Sequence, residues 1–264
     1  MYCVGDSLSG MESKVCTLRG GECANMLYVV GIGPGGPAYM TKEAEDALWE
    51  SDIIFGDTTC VKLIKAYYPH KEYDITITQD EKVYCERALA ESEKGRCVSY
   101  ICSGDSAVYG AAALIYRMAE EHQIAEKQID VIAGVTAALS GGAVLGAPLS
   151  GDFMVVSLDD RQTSWEKIER RISCAAMSDT ILCLYNTTSE KQYHTLRRVC
   201  DLVLEYQSEK TVCGYVENIG REGESYKIVS LKELKEIEPD DIATIFIGNS
   251  ETVEVMGKMV TYHI

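Results

Sequence analysis

The chain has 264 residues, 46% of them hydrophobic and 25% charged, which is an ordinary composition for one large or two medium globular domains. Forty-one acidic against 25 basic residues leave a net charge of −16, and no Lys/Arg-rich stretch is present to neutralise phosphates, so a nucleic-acid partner is not expected. No apolar run approaches the roughly 20 residues that cross a bilayer, so no membrane partner is expected either.

The eleven cysteines contain no Cys-x-x-Cys pair, so no metal site is expected. Several sit inside apolar runs, such as Cys102 and Cys183, where they read as small buried hydrophobes in a reducing cytoplasm.

Residues 1–25 carry scattered Gly and Ser with no helical or strand period and no signal-peptide pattern. At Met26 the pattern changes abruptly, which points to Met26 as the natural start and to 1–25 as a leader or disordered tail. From there strands and helices alternate. Leu27–Ile32 reads as a buried strand, Thr41–Glu50 as a helix with Thr41 as N-cap, and Asp52–Phe55 as a strand. Asp80–Ser92 reads as helix, Cys97–Cys102 as strand, Ala107–His122 as helix and Ile129–Ile132 as strand. Such alternation predicts a mainly parallel sheet covered by helices.

The small-residue stretch Thr136–Ala143 and the following Gly146–Gly151 mark the expected junction between a domain over 26–137 and another over 138–264. In the second, strands are expected at Phe153–Leu158, Thr180–Tyr185, Thr211–Val216, Tyr226–Ser230 and Thr244–Ile247, with helices at Trp165–Cys174 and Gln192–Leu204. The strands crowded near the end suggest an antiparallel component. The fold class is therefore α/β, two domains with a ligand cleft between them.

The turn Gly31-Ile32-Gly33-Pro34-Gly35-Gly36 matches G-x-G-x-x-G after a strand. A dinucleotide site needs the next helix to open on that turn, yet Pro34 and Pro37 interrupt it and the first good N-cap is Thr41. Asp52 stands about 20 positions on, but it begins its strand, whereas a ribose-binding acid should end one. A plain strand-to-helix crossover stays open. Ser103-Gly104-Asp105-Ser106, Gly134-Val135-Thr136-Ala137 and Tyr185-Asn186-Thr187-Thr188 also follow strand ends. Together they put small and polar residues where open α/β sheets bind ligands.

This set of motifs resembles the tetrapyrrole methylase family. The matching elements are Gly31–Gly35, Ser103–Asp105, Val108-Tyr109-Gly110, Gly134–Ala137, Gly146–Leu149 and Asp152-Phe153, in family order. The later segments Ser157–Asp160, Trp165–Arg171, Leu184–Asn186, Asn218–Glu224, Ile247–Ser250 and Lys258–Thr261 resemble the precorrin-3B C-17 methyltransferase branch. The resemblance implies transfer of a methyl group from S-adenosylmethionine to a ring carbon of a tetrapyrrole on the cobalamin route, precorrin-3B or its cobalt-bearing counterpart, with ring contraction. It also implies a cytoplasmic homodimer. A C-11 or C-20 methylase of the same family and a non-catalytic tetrapyrrole binder remain as alternatives.

By the same resemblance, Gly33, Pro34, Gly35, Ser103, Gly104, Asp105, Val108, Tyr109, Thr136, Ala137, Tyr185 and Asn186 line the donor pocket, with Asn218, Gly220 and Thr244 towards the adenine. Asp105 reads equally as an N-cap for the helix after it. The acceptor carries many carboxylates, so a protein of net −16 needs local cations to hold it. Arg221 is the first choice and Arg161 the second, each weighed against simple pairing with a neighbouring carboxylate. The branch has a different sequence after its second strand, where this chain has Gly56-Asp57-Thr58-Thr59-Cys60. Asp57 and Thr58 are the candidates for acid–base work, because their loop is expected to face the cleft.

Overall fold

The computed structural model describes residues 15–16, 21–22, 25–74, 80–124, 129–161, 163–186, 193–237 and 243–262. Val15–Cys16 (β1) and Gly21–Glu22 (β2) pair antiparallel. The rest of 1–24 lies outside the described residues, and with it the reading of 1–25 as a leader or tail.

The chain divides into two compact units. The first comprises Met1–Val30, Lys42–Ile101 and Ala111–Ile132. It contains β3 (Leu27–Gly31), α1 (Lys42–Glu50), β4 (Ile53–Phe55), α2 (Thr58–Lys65), β5 (Glu72–Tyr73), α3 (Glu81–Glu93), β6 (Val98–Cys102), α4 (Ala112–Glu121) and β7 (Ile129–Ile132). The strands form one sheet in the order β5-β4-β6-β3-β7. β3 pairs parallel with β7, and β4 pairs parallel with β5 and β6. Every residue of β3, β4 and β6 is buried, which is why these strands read as continuous apolar runs rather than alternating ones.

Two helices differ from the sequence reading. Asp57 is the N-cap of α2, its Oδ1 accepting from Thr59 N (2.7 Å) and Cys60 N (3.0 Å), so the motif stretch read as a loop opens a helix. α4 starts at Ala112, not Ala107. Asp105 Oδ1 gathers the amides of Ala107 and Val108 into a turn, and Tyr109 sits at φ 55°, outside helical space.

The second unit comprises Gly31–Thr41, Cys102–Gly110 and Ala133–Ile264. It holds a 3-10 turn at Pro37–Tyr39, α5 (Ala137–Leu145), β8 (Gly146–Ala147), β9 (Phe153–Ser157), α6 (Trp165–Met177), β10 (Ile181–Tyr185), α7 (Tyr193–Leu204), β11 (Val212–Glu217), β12 (Ser225–Ser230), α8 (Leu231–Leu234), β13 (Ala243–Ile247), β14 (Thr252–Val255) and β15 (Lys258–Thr261). Its main sheet runs β12-β11-β13-β10-β9, parallel at β9/β10 and antiparallel elsewhere, the mixed character expected of the late strands. A smaller sheet runs β14-β15-β8.

Alternation along the central strands builds two cores. Leu182 and Leu184 of β10 and Ile245 and Ile247 of β13 pack with Ile168 and Ile172 of α6 and Val199 and Val203 of α7. Cys183, Tyr185 and Phe246 point to the other face, where Ala138 and Leu145 of α5 and Met259 of β15 meet them. The small-residue stretch read as a junction is therefore a packed helix. Tyr185 is carried to the end of β10 on the α5 side, and this places it in the site.

Candidate active site

Three strand-end turns meet backbone to backbone in the second unit. Ile32 N donates to Cys102 O (3.0 Å), and Gly33 and Gly104 exchange hydrogen bonds of 3.0 and 2.8 Å. Gly134 completes the junction: a Cβ there would stand 2.1 Å from Gly104 O and 2.6 Å from Gly31 C. Only glycine permits this approach. Asp105 ties the turns together, with Oδ1 accepting from Ala107 N (2.8 Å) and Val108 N (3.1 Å) and Oδ2 accepting from Gly134 N (2.8 Å). Of the two sequence roles, the capping one is met at a turn rather than a helix, and the same carboxylate fastens a neighbouring turn.

Tyr185 holds the start of α5. Its hydroxyl accepts from Ala138 N (2.6 Å) and shares a hydrogen bond with Thr136 Oγ1 (2.5 Å). Burial, with the neighbouring Cys183, pushes its ionisation up to about 12, so the hydroxyl stays neutral and serves both partners. Tyr109 packs edge-on against the Tyr185 ring, centroids 6.0 Å apart, and its hydroxyl donates to Val155 O (3.2 Å). Asn186 Nδ2 donates to Ser157 Oγ (2.8 Å). Tyr109, Asn186 and Asn218 have φ of 55°, 54° and 52°. Such non-glycine backbones cost of order 1–3 kcal/mol each and gather where a site needs a fixed shape.

A fourth segment, the turn after β11, is closed by Arg221 N donating to Asn218 O (2.9 Å) and Gly220 N donating to Glu224 Oε2 (2.7 Å). Arg221 then reaches across to the first turn, Nε donating to Pro34 O (2.8 Å).

These segments enclose a cavity of about 280 Å³ lined by Pro34, Ser103, Gly104, Val108, Tyr109, Thr136, Ala137, Tyr185, Asn186, Ile219, Arg221, Ala243 and Thr244. All belong to the second unit. Of the residues expected at the site, Gly33, Gly35, Asp105, Asn218 and Gly220 shape the surrounding turns without lining the cavity. Ile219 lies inside the expected Asn218–Gly220 loop, and Ala243 went unforeseen, although it is the chain neighbour of Thr244. Thr187 and Thr188 lie outside the described residues.

Asp57 and Thr58 belong to the first unit and are not among the lining residues. Arg161 is also absent from the lining. Its side chain is 83% exposed and pairs with Asp159, whose carboxyl the guanidinium holds below its usual range. Arg221 is the one charged residue among those lining the cavity.

Apolar walls from Pro34, Val108, Ile219 and Ala243 stand beside the hydroxyls of Ser103, Thr136 and Thr244 and the Asn186 amide. That mixture suits a ligand with a flat apolar part and several hydrogen-bonding groups. Residues 26–235 match the family of tetrapyrrole (corrin/porphyrin) methylases. The chain belongs to that family. It is a methyltransferase with S-adenosylmethionine as its methyl donor.

This tetrapyrrole methylase is 35% identical to a probable cobalt-factor III C(17)-methyltransferase of Salmonella typhimurium, over 89% of this chain and 98% of the relative. A protein of the same description from Methanocaldococcus jannaschii is 36% identical over 89% of this chain and 96% of its own length. The chain spans about half the length of two further relatives, from Priestia megaterium and Archaeoglobus fulgidus. Among solved structures it resembles the methyltransferase CobJ, with a TM-score of 0.82 at 27% identity over 90% of this chain and 99% of that one. It shares its fold with the uroporphyrin-III C-methyl transferase of Thermus thermophilus complexed with S-adenosylhomocysteine, with a TM-score of 0.68 at 19% identity over 84% and 97% of the two chains.

Proposed function

We propose that this tetrapyrrole methylase methylates C-17 of a cobalt-bearing precorrin-3-type macrocycle during cobalamin biosynthesis, with contraction of the ring. The observation that carries this reading is the cavity built on glycine turns with a single cation in its wall. The two near-full-length relatives, both probable cobalt-factor III C(17)-methyltransferases, supply the position of methylation and the cobalt. S-adenosylmethionine supplies an electrophilic methyl group at its sulfonium, for in-line displacement by a nucleophilic ring carbon.

The chain's part is to hold the donor, orient the acceptor and limit water. Pro34, Ser103, Gly104, Val108, Thr136 and Ala137 form the donor's wall, with Asn186 and Thr244 offering side-chain hydrogen bonds. Tyr185 lines the same cavity, and its hydroxyl fixes this wall by accepting from the Ala138 amide. Arg221 attracts a peripheral carboxylate of the acceptor, where a protein of net −16 otherwise repels it. No carboxylate is among the lining residues, so nothing there competes for that cation. Asp57 caps α2, and that role accounts for its carboxylate without assigning it a proton-transfer step.

Calorimetric titration with S-adenosylhomocysteine, S-adenosylmethionine and NAD tests the donor assignment. The two sulfur ligands are expected to bind and NAD not to; preference for NAD would sink the reading.

The same proposal includes a homodimer working in the cytoplasm. Eight described cysteines are outside any disulfide, seven of them buried, as suits a reducing compartment. Light scattering at micromolar concentration should return about twice the 29.1 kDa chain mass, and a monomer would contradict the assembly.

A further inference from the structure

The first turn and the turn after β11 are fastened to each other at three points. A Cβ on Gly35 would lie 2.1 Å from Gly220 O, so the two backbones touch. The Tyr39 ring covers Gly220, standing 2.7 Å from where a Cβ would be. Arg221 Nε donates to Pro34 O at 2.8 Å. The second turn is itself braced, by Gly220 N on Glu224 Oε2 and by Arg221 N on Asn218 O. Pro34 and Arg221 both line the cavity, one on the donor's wall and the other as its cation.

We propose that Arg221 couples the two ligands: it holds the donor turn through Nε while its terminal amino groups take an acceptor carboxylate, so that each ligand strengthens the binding of the other. In the sequence Arg221 stands between binding the acceptor and pairing with a neighbouring carboxylate; its bond to Pro34 is a further task. A guanidinium is suited to both, because it carries five N–H donors in a rigid plane. Using Nε on Pro34 leaves both terminal nitrogens, and among the described residues no other side-chain bond of Arg221 competes for them. A carboxylate on those nitrogens fixes the plane of the group, and Pro34 is then held more tightly. A filled donor wall in turn fixes Pro34 and pre-orients Arg221 for the carboxylate. Linkage requires the two effects to be equal. A lysine keeps the charge but has no planar fork, so it can serve the carboxylate or Pro34, not both in register.

The inference rests on the donor and acceptor assignment made above. The test is titration of S-adenosylhomocysteine into the full chain, with and without saturating uroporphyrin III, an octacarboxylate macrocycle used as acceptor probe. Wild type, Arg221→Lys and Arg221→Ala are compared at unchanged melting temperature. In wild type the macrocycle should tighten S-adenosylhomocysteine by about fivefold or more. Arg221→Ala should weaken S-adenosylhomocysteine alone by roughly two- to tenfold, the worth of one hydrogen bond, and bring the coupling factor to one. Arg221→Lys should bind the macrocycle within about threefold of wild type and still show no coupling. Donor binding in wild type that is indifferent to the macrocycle, or coupling that survives in both variants, would overturn the proposal while leaving the methylase reading intact. Failure of wild type to bind S-adenosylhomocysteine would overturn both.

Discussion

Gly134→Ala is expected to lower the melting temperature by roughly 6–12 °C and to remove measurable S-adenosylhomocysteine binding. The added Cβ would stand 2.1 Å from Gly104 O, 2.6 Å from Gly31 C and 2.7 Å from Gly31 O. All three neighbours are backbone, so no side chain can swing aside. Relief requires the turns at Gly31, Gly104 and Gly134 to separate, and those turns carry the donor wall. Overpacking of this kind costs about 3 kcal/mol, near the top of its usual range. Differential scanning calorimetry with and without ligand checks both halves. Donor affinity like that of wild type would show that the three turns need not meet as described.

Asp105→Ala should reduce donor affinity at least tenfold and destabilise the chain by about 2–4 kcal/mol, since it removes an acceptor from three backbone amides at once. Two of those amides, Ala107 and Val108, shape the second turn, and the third, Gly134, joins it to the third turn. Asp105→Asn separates the two tasks. The amide oxygen can keep Ala107 and Val108, whereas the amide nitrogen would face the Gly134 N–H, donor against donor. The asparagine variant should therefore fall between wild type and alanine in both melting temperature and S-adenosylhomocysteine affinity. An asparagine variant matching wild type would remove the bond to Gly134 from the account.

The strands were legible because burial wrote itself into composition. Leu27–Gly31 and Ile181–Tyr185 are apolar runs with glycine or polar stops, and the structure has strands at both. The elements that escaped notice lack that signature. α2 opens on Asp57-Thr58-Thr59, which reads as a loop until the Asp57 cap is seen. α5 is rich in Ala and Gly, whose small size suggests a linker but here allows close packing beneath Phe246. The hairpin of β14 and β15 turns on Met256-Gly257, both residues in left-handed backbone (φ 55° and 73°), a turn more often announced by Asn-Gly.

At the site the motifs named most of the cavity wall, because small residues at strand ends leave a trace in the sequence. Long-range fastenings leave none. Nothing near residue 221 announces that its guanidinium will reach Pro34, 187 positions earlier. Nor does Tyr185 advertise that its hydroxyl will hold Ala138 N. The motif set Arg221 ahead of Arg161; packing places the first in the cavity wall and leaves the second paired to Asp159 at the surface.

The most direct test of the methylase assignment is to incubate the full chain with S-adenosylmethionine carrying a ¹³C-labelled methyl group and with cobalt-precorrin-3, then to locate the label in the product by mass spectrometry and NMR. The account predicts one labelled methyl per macrocycle, on C-17 of a contracted ring, with S-adenosylhomocysteine formed in equal amount. A labelled methyl on another ring carbon would place the chain in a different branch of its family. An unlabelled macrocycle recovered with the donor intact, from protein that binds both ligands, would contradict the assignment as an enzyme.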